Sequence, residues 1–247
     1  METKFNEFKN EIFRRLNAIG AKRGDEFDTS ETFASLMNAI KGDFWFLCRH
    51  DILTEDLFKA YGQEFADANI HYNENTTSGY LLVVDDWADA YGNTKVVAKK
   101  RSHVTARDNS EVFAFDNTSV NAKDDSKVIA DDQTIVRAWA VDSVKAMGKS
   151  EVYADGHTRV WAFDEATVEA KGYVNLLLRG KAKAKVYDNV TVNAMDDTYV
   201  IGHHDSYITI RDAAKYEIFN SAIVREIDNK KIVYKKNELK IEAKTYE

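Results

Sequence analysis

Apolar and polar positions alternate along most of this chain with a strict period of eight residues. Val occupies every eighth position from Val96 to Val168, and Ala follows two positions later in each octad, from Ala98 to Ala170. Side chains two residues apart share one face of a strand, so each Val-x-Ala unit predicts a strand with an apolar face. Asp or Gly usually follows at the fourth place after the Val and Ser or Thr often at the sixth, which is turn chemistry. The pattern predicts a solenoid.

The number of octads per coil is inferred from the outward residues, because positions that stack in successive coils should resemble each other. An alignment in steps of three octads collects aromatic side chains in one column and hydroxyl side chains in another, and an alignment in steps of two octads mixes them. The aromatic column is Tyr91, Phe115, Trp139, Phe163 and Tyr187. We therefore expect a mainly β fold, a three-sided parallel β-helix with 24-residue coils of three octads.

Both ends of the repeat predict caps, because an open end of a solenoid exposes unpaired backbone. Residues 1–79 should form a helical head, with an amphipathic first helix, a second helix over Ser30–Lys41 capped by Thr29 or Ser30, and a third that begins at Thr54 and continues to about Tyr61 or Ala66. Phe44–Leu47 fits a buried strand or the end of a helix. The β-helix spans 80–220, and 221–247 should form a β-hairpin cap with a final strand over Leu239–Ala243.

The octad Val-x-Ala-x-Asp-Asn-Ser resembles the short repeats of some β-helix proteins of bacteria, phages and mobile elements. The copies that carry the resemblance are Val104–Ser110 and Val112–Thr118, and the similarity extends over the repeat from Tyr80 to Asn220. It implies the solenoid architecture and, as an expectation, a role as a phage or mobile-element inhibitor of a bacterial defence effector such as a CRISPR nuclease. No catalytic motif accompanies the repeat.

Composition narrows the class of protein. One cysteine, Cys48, excludes an internal disulfide framework and fits a reducing compartment. The charged N-terminal sequence lacks the apolar core of a signal peptide, and no apolar run is long enough to span a bilayer. We expect a cytoplasmic protein, in the host cell if it is phage-encoded, with no membrane partner and no cofactor. Its oligomeric state stays open.

The net charge of −7 is unevenly distributed. Residues 1–93 carry 17 acidic and 9 basic side chains, a balance of −8, whereas 94–220 carry 19 and 18, a balance of −1. The segment 221–247 carries 5 and 7, a balance of +2. A mimic of DNA needs an extended negative surface, which the solenoid lacks.

The candidate binding surface is the face that borders the aromatic column, where rings alternate with Lys and Arg. Its predicted members are Phe113, Phe115, Arg137, Trp139, Arg159, Trp161, Phe163, Lys183, Lys185, Tyr187 and Arg211. Such a face can anchor a protein partner, including a nucleic-acid-guided effector complex, or stack on bases and neutralise phosphates directly. It can also be structural, stabilising a corner or lying under the helical head.

Other chemistry-bearing residues favour structural roles. Asp residues at the turn position include Asp116, Asp164 and Asp188, which the 24-residue coil places on one corner with Asp212; they could bind calcium or act on a sugar, but Asp at a turn caps backbone amides. His203 and His204 should point to opposite sides of a strand, which argues against a shared metal. Cys48 lies in an apolar run and should be core.

These observations predict a non-enzymatic binding protein that displays a rigid surface. Two alternatives from other classes stay open. One is a polysaccharide-active β-helix enzyme, for which such short octads leave little loop to build a pocket. The other is a structural or adhesive trimeric protein like a phage fibre.

Overall fold

The computed structural model describes residues 2–22, 24–237 and 240–246. Six helices come first: α1 Glu2–Ala18, α2 Asp25–Asp28, α3 Phe33–Gly42, α4 Phe44–Arg49, α5 Glu55–Ala60 and α6 Gly62–Asp67. The first eleven strands are β1 Ile70–Tyr72, β2 Tyr80–Val84, β3 Trp87–Ala90, β4 Lys95–Lys99, β5 His103–Ala106, β6 Glu111–Ala114, β7 Ser119–Lys123, β8 Lys127–Ala130, β9 Ile135–Trp139, β10 Ser143–Ala146 and β11 Glu151–Asp155. The remaining strands are β12 Arg159–Ala162, β13 Thr167–Ala170, β14 Asn175–Leu178, β15 Lys183–Val186, β16 Thr191–Ala194, β17 Tyr199–Gly202, β18 Tyr207–Ile210, β19 Lys215–Ile218, β20 Ile223–Glu226, β21 Lys231–Asn237 and β22 Lys240–Thr245.

The strands form a parallel β-solenoid of about nine turns, which confirms the predicted mainly β, stacked architecture. Strands alternate between two sheets. Sheet A contains β1, β2 and then every even-numbered strand to β20, followed by β21 and β22; sheet B contains the odd-numbered strands β3 to β19. Each coil therefore consists of one strand from each sheet.

The prediction of three-sided, 24-residue coils is wrong. Paired residues differ by 16 positions throughout the regular repeat, as in Ser143 with Arg159 and Glu151 with Thr167. The coil thus contains two octads and two faces. The physical reason lies inside: Val and Ala from the facing sheets fill the narrow space between them, and every Val and Ala of the regular octads is buried.

Three features recur at the corners of the coil. The residue four places after the Val has a left-handed backbone, with φ between 52° and 66° from Lys100 to Asp164, a region that Asp tolerates and Gly adopts freely. At several corners an inward hydroxyl two residues later donates to the carbonyl three residues before it, as in Thr118 to Phe115 at 2.6 Å. The Asp carboxylate accepts the amide of the equivalent residue one coil earlier.

This carboxylate ladder runs along both corners. Asp116 Oδ2 accepts the Lys100 N–H at 2.8 Å, and Asp164 Oδ2 accepts the Gly148 N–H at 3.1 Å. The same contact is made by Asp108, Asp124, Asp132, Asp196, Asp212 and Asp228. The ladder confirms the structural interpretation for these Asp residues, whereas Asp188 shares the left-handed turn conformation but has its carboxylate 3.8 Å from His204. The predicted grouping by corner is wrong, because Asp116 and Asp164 share a corner with Asp132 whereas Asp188 lies on the opposite one.

The helical head packs against the outer face of sheet A at its first strands. The head's buried cluster, which includes Phe8, Leu36 and Leu47, continues onto Leu82 and Val97 of that face. The buried Lys99 ammonium holds the contact, since it donates to the Cys48 carbonyl at 2.9 Å and to Asp51 Oδ1 at 2.7 Å. The head therefore covers one part of one face and leaves the later coils of sheet A open.

The helices differ from prediction in detail. The second predicted helix is α3, which begins later than expected because Thr32 and Ser35 form its capping box, so Thr29 and Ser30 are not its cap. Phe44 begins helix α4, and the third predicted helix is broken at Tyr61 into α5 and α6. In α1, Glu11 accepts hydrogen bonds from Arg14 and Arg15, which lower the pKa of its carboxyl to about 2.

The solenoid ends in a reversed pair of strands. β20 pairs with β21 in antiparallel orientation, which confirms the predicted hairpin, and β22 adds a further antiparallel strand. Leu239, where the last strand was expected to begin, lies outside the described residues. Parallel pairing begins before residue 80, at β1, and continues past residue 220, to β20.

Candidate functional site

The eleven residues predicted to form one binding face lie on two opposite sheets. Phe113, Arg159 and Trp161 project outward from sheet A, with Phe115, Phe163 and Arg211 directly after its strands. Arg137, Trp139, Lys183 and Lys185 belong to sheet B, with Tyr187 directly after β15. The prediction of a single face is wrong because a 24-residue step joins positions that alternate between the sheets of a 16-residue coil.

Two of the predicted residues contact the helical head. The Phe113 ring stacks with Trp45 at a centroid distance of 6.4 Å. Phe115 is buried under Arg49, whose guanidinium carbon lies 4.4 Å from the ring centroid, and Arg49 also pairs with Asp131 at 3.1 Å. The structural alternative for this part of the aromatic column is therefore confirmed.

The uncovered part of sheet A is strongly basic. We define the basic face as two sets of side chains. The first set is the outward side chains of β8, β10, β12, β14, β16, β18 and β20, and the second is the residue that directly follows each of the first six of these strands. Its cations are Lys127, Lys145, Arg159, Arg179, Arg211 and Arg225. Asp131 is the one acidic residue at these positions, all of which the structure describes, and it pairs with Arg49 of the head.

Apolar side chains lie between the cations of the basic face. They are Ile129, Met147, Trp161, Phe163, Leu177 and Met195. The Lys145 ammonium lies 5.7 Å from the centroid of the Phe163 ring, and an Arg179 nitrogen lies 3.9 Å from the Met195 sulfur. Arg159 pairs with Asp142 at the edge of the face. Because each sheet strand is about 4.8 Å from the next, the seven strands extend this surface over roughly 29 Å.

A shallow groove of about 560 Å³ lies on sheet B, and we call it the tryptophan groove. Its polar and aromatic lining consists of Thr105, Arg107, Asn121, Lys123, Arg137, Trp139, Tyr153, Asp155, Glu169 and Lys171. Trp139 is 66% exposed and Tyr153 is 43% exposed. β-sheet register places Trp139 between Lys123 and Asp155 of the adjacent coils.

The charges of the tryptophan groove are unevenly paired. Asp155 accepts the Gly156 N–H at 2.6 Å and lies 3.6 Å from the Lys171 ammonium. The Arg137 guanidinium lies 5.8 Å from the centroid of the Tyr153 ring. No salt bridge joins Arg107, Lys123 or Arg137 to an acidic side chain in the described part of the chain.

Further along sheet B, a stack of rings follows the corner. The Tyr187 and His203 rings are 5.0 Å apart, and the His203 and Phe219 rings are 4.8 Å apart, both nearly parallel. Burial, followed by the Lys185 and His204 charges, lowers the pKa of His203. The Tyr187 hydroxyl raises the pKa of Lys185. This stack consolidates the corner and uses the Tyr187 ring that was assigned to the binding face.

No group of three His, Cys, Asp or Glu side chains suited to a metal ion is found in the ranges that the structure describes. His203 is held between two rings, and His204 adopts the left-handed turn conformation with Asp188 3.8 Å away. Cys48 is fully buried and burial raises the pKa of its thiol, as expected for a core residue.

Sequence reasoning missed several members of both surfaces. On the basic face these are Lys127, Lys145, Arg179 and Arg225, and in the groove they are Arg107, Lys123 and Lys171. An alignment in steps of 16 residues shows the signal, because it places the cations of the basic face in the same sheet as Arg159 and those of the groove at the same corner as Trp139.

Comparison of the chain with protein families, with curated proteins and with solved structures found no match. Within the described residues, the helices are too short or too polar to cross a bilayer.

Proposed function

We propose that this chain is a non-enzymatic binding protein whose basic face docks onto an acidic surface of a partner protein. The observation that carries the proposal is the composition of that face, in which six cations are interspersed with Trp, Phe, Met, Leu and Ile side chains. The acids beside them are paired, Asp131 with Arg49 and Asp142 with Arg159 and Lys127. Aromatic residues, Met and Arg are enriched in protein interfaces, where the apolar centre supplies affinity and the charges supply orientation.

The rigid support strengthens this proposal. The face is carried on hydrogen-bonded strands whose inner side chains are buried in one continuous core, so its backbone loses little conformational freedom on binding. Of the two turn carboxylates that an enzyme acting on sugars would use, Asp164 already accepts the Gly148 N–H, and Asp188 lies 3.8 Å from the His204 ring. The polysaccharide-active alternative therefore gains no support from the site geometry.

The resemblance to phage and mobile-element repeats motivates a narrower form of the proposal. In this form the partner is a bacterial defence effector, including a nucleic-acid-guided nuclease, and the basic face occupies a surface that the effector needs for assembly. Expression of the chain in cells with an active effector should then restore transformation by a targeted plasmid.

The direct test is affinity capture with matched variants. The basic-face variant Lys145→Gln, Arg179→Gln, Arg211→Gln removes three cations, and the control Lys183→Gln, Lys185→Gln, Lys215→Gln removes three from sheet B. We expect the first variant to lose the partner and the second to retain it, with release of the wild-type complex at high salt. Equal capture by both variants would exclude the basic face. Sedimentation of the free chain tests the fibre-like alternative, which requires a trimer.

A further inference from the structure

We infer that the tryptophan groove binds single-stranded nucleic acid, with a base stacked on Trp139 and the neighbouring phosphates held by Arg107 and Lys123. The groove lies on sheet B, so this inference is independent of the partner proposed for the basic face on sheet A.

The aromatic side chains of the groove are suited to bases. Trp139 ends its strand at a corner, where two thirds of its surface is exposed, and Tyr153 projects from the adjacent coil. Among the described side chains no ring stacks on the Trp139 indole, and the side chain is 66% exposed, so a base can reach it from solvent. Stacking of successive bases on exposed rings is the common mode of sequence-tolerant binding to single strands.

The cations of the groove are suited to phosphates. Arg107 and Lys123 lie on successive coils of the same corner as Trp139, so the three Cα atoms follow one line at steps of about 4.8 Å. Like charges this close repel each other, and the described acidic side chains of the groove, Asp155 and Glu169, lie on the other side of Trp139. An anion bound beside Arg107 and Lys123 would relieve the repulsion.

The composition of the groove separates it from a protein-docking surface. The basic face has Ile, Leu and Met side chains, whereas the outward lining of the groove is aromatic, charged or polar and uncharged. A duplex keeps its bases stacked inside the helix and cannot present one to Trp139. A single strand has unstacked bases and the anionic backbone that the groove complements.

The test is fluorescence anisotropy with a labelled 15-nucleotide oligo-dT and the full chain. Trp139→Ala should weaken binding roughly 5- to 100-fold, and Trp139→Phe should restore most of it. The two phosphate contacts of Arg107 and Lys123 predict that log affinity falls with log salt at a slope of about −1.4, and Arg107→Gln with Lys123→Gln should reduce the slope to near zero.

Two variants serve as controls. Trp87→Ala removes another exposed Trp of sheet B that lies outside the groove, and Lys145→Gln with Arg179→Gln removes two charges from the basic face. Both should bind like wild type. An unchanged affinity of Trp139→Ala would overturn the inference, as would equal competition by a 15-base-pair duplex, by dTMP or by polyglutamate of matched charge. Loss of oligonucleotide binding without loss of the protein partner would separate this site from the proposed function.

Discussion

The carboxylate ladder makes a quantitative prediction at Asp164. This residue combines two roles, since its backbone has φ of 56° and its side chain accepts the Gly148 N–H at 3.1 Å. An ordinary side chain in the left-handed region costs about 1–2 kcal/mol. Loss of one hydrogen bond costs about 0.5–1.5 kcal/mol. Asp164→Ala incurs both and should lower the free energy of unfolding by roughly 1.5–3.5 kcal/mol.

Two further substitutions separate these contributions. Asp164→Asn keeps an acceptor oxygen and tolerates the left-handed backbone, so it should change the free energy of unfolding by less than about 0.5 kcal/mol. Asp164→Gly removes the steric cost but loses the hydrogen bond and gains freedom in the unfolded chain, a loss of about 1–2.5 kcal/mol. The expected order of stability is Asp, Asn, Gly and then Ala.

Urea unfolding followed by far-UV circular dichroism measures these differences, provided that the slope m stays constant. Asp197→Ala is the matched control, because Asp197 is an exposed corner residue beside Asp196 without a left-handed backbone. It should change stability by no more than about 0.5 kcal/mol. An Ala variant at 164 as stable as the Asn variant would refute the assignment of the turn Asp residues to backbone support.

Three further predictions address the coil, the head and its pH dependence. Deletion of 151–166 removes one coil and should preserve cooperative unfolding, whereas deletion of 151–174 places sheet A strands in sheet B and should abolish it; the reverse result would favour 24-residue coils. Lys99→Ala should lower the stability of the head by about 2–3 kcal/mol and increase amide exchange in α4 but not in the later coils, with the exposed Lys100→Ala as control. Glu11 has a folded-state pKa of about 2, below its usual 4.5, so its stabilisation is present above pH 4.5 and is lost as pH falls toward 2. The stability difference between wild type and Glu11→Gln, at most about 1 kcal/mol at neutral pH, should vanish over that range in urea unfolding.

The octad was sufficient to predict the local structure of the solenoid. Strand, inward Val and Ala, and the turn all follow from residue type and period, because inward positions admit few side chains. The Asp role at the turn followed from the same chemistry. The terminal hairpin was recognisable for a similar reason, since Asp228 and Asn229 separate two strand-forming segments.

The number of octads per coil could not be read from the inward pattern, because a period of eight fits coils of two octads and of three octads equally. Only the outward residues distinguish the two coil lengths, and those positions are weakly constrained by packing. Phe115 and Trp139 are both aromatic by coincidence, and they lie on opposite corners. The contacts that do stack are one coil apart, such as Tyr187 with His203, and they mix ring types that a search for identical residues overlooks.

The candidate surfaces depended on the same step. The predicted cations do lie at outward positions. A coil of 24 residues, however, assigns residues of sheets A and B to one face, and it leaves Lys145 out of the basic face and Lys123 out of the tryptophan groove. The position of the head was also beyond the pattern, because an amphipathic helix shows which side is apolar and not which surface receives it.

The reversed strands at the end of the solenoid have a consequence for polymerisation. The last strand of a parallel stack has unpaired N–H and C=O groups, to which a further parallel strand could bind in register. In sheet A, β21 and β22 replace that register with an antiparallel one, so the leading strand β1 of another molecule would meet mismatched hydrogen-bond spacing. In sheet B, the last strand β19 carries Lys215 and Glu217, and the Tyr216 hydroxyl contacts Glu226 across the open end. The reversed strands therefore oppose the end-to-end addition of a second solenoid.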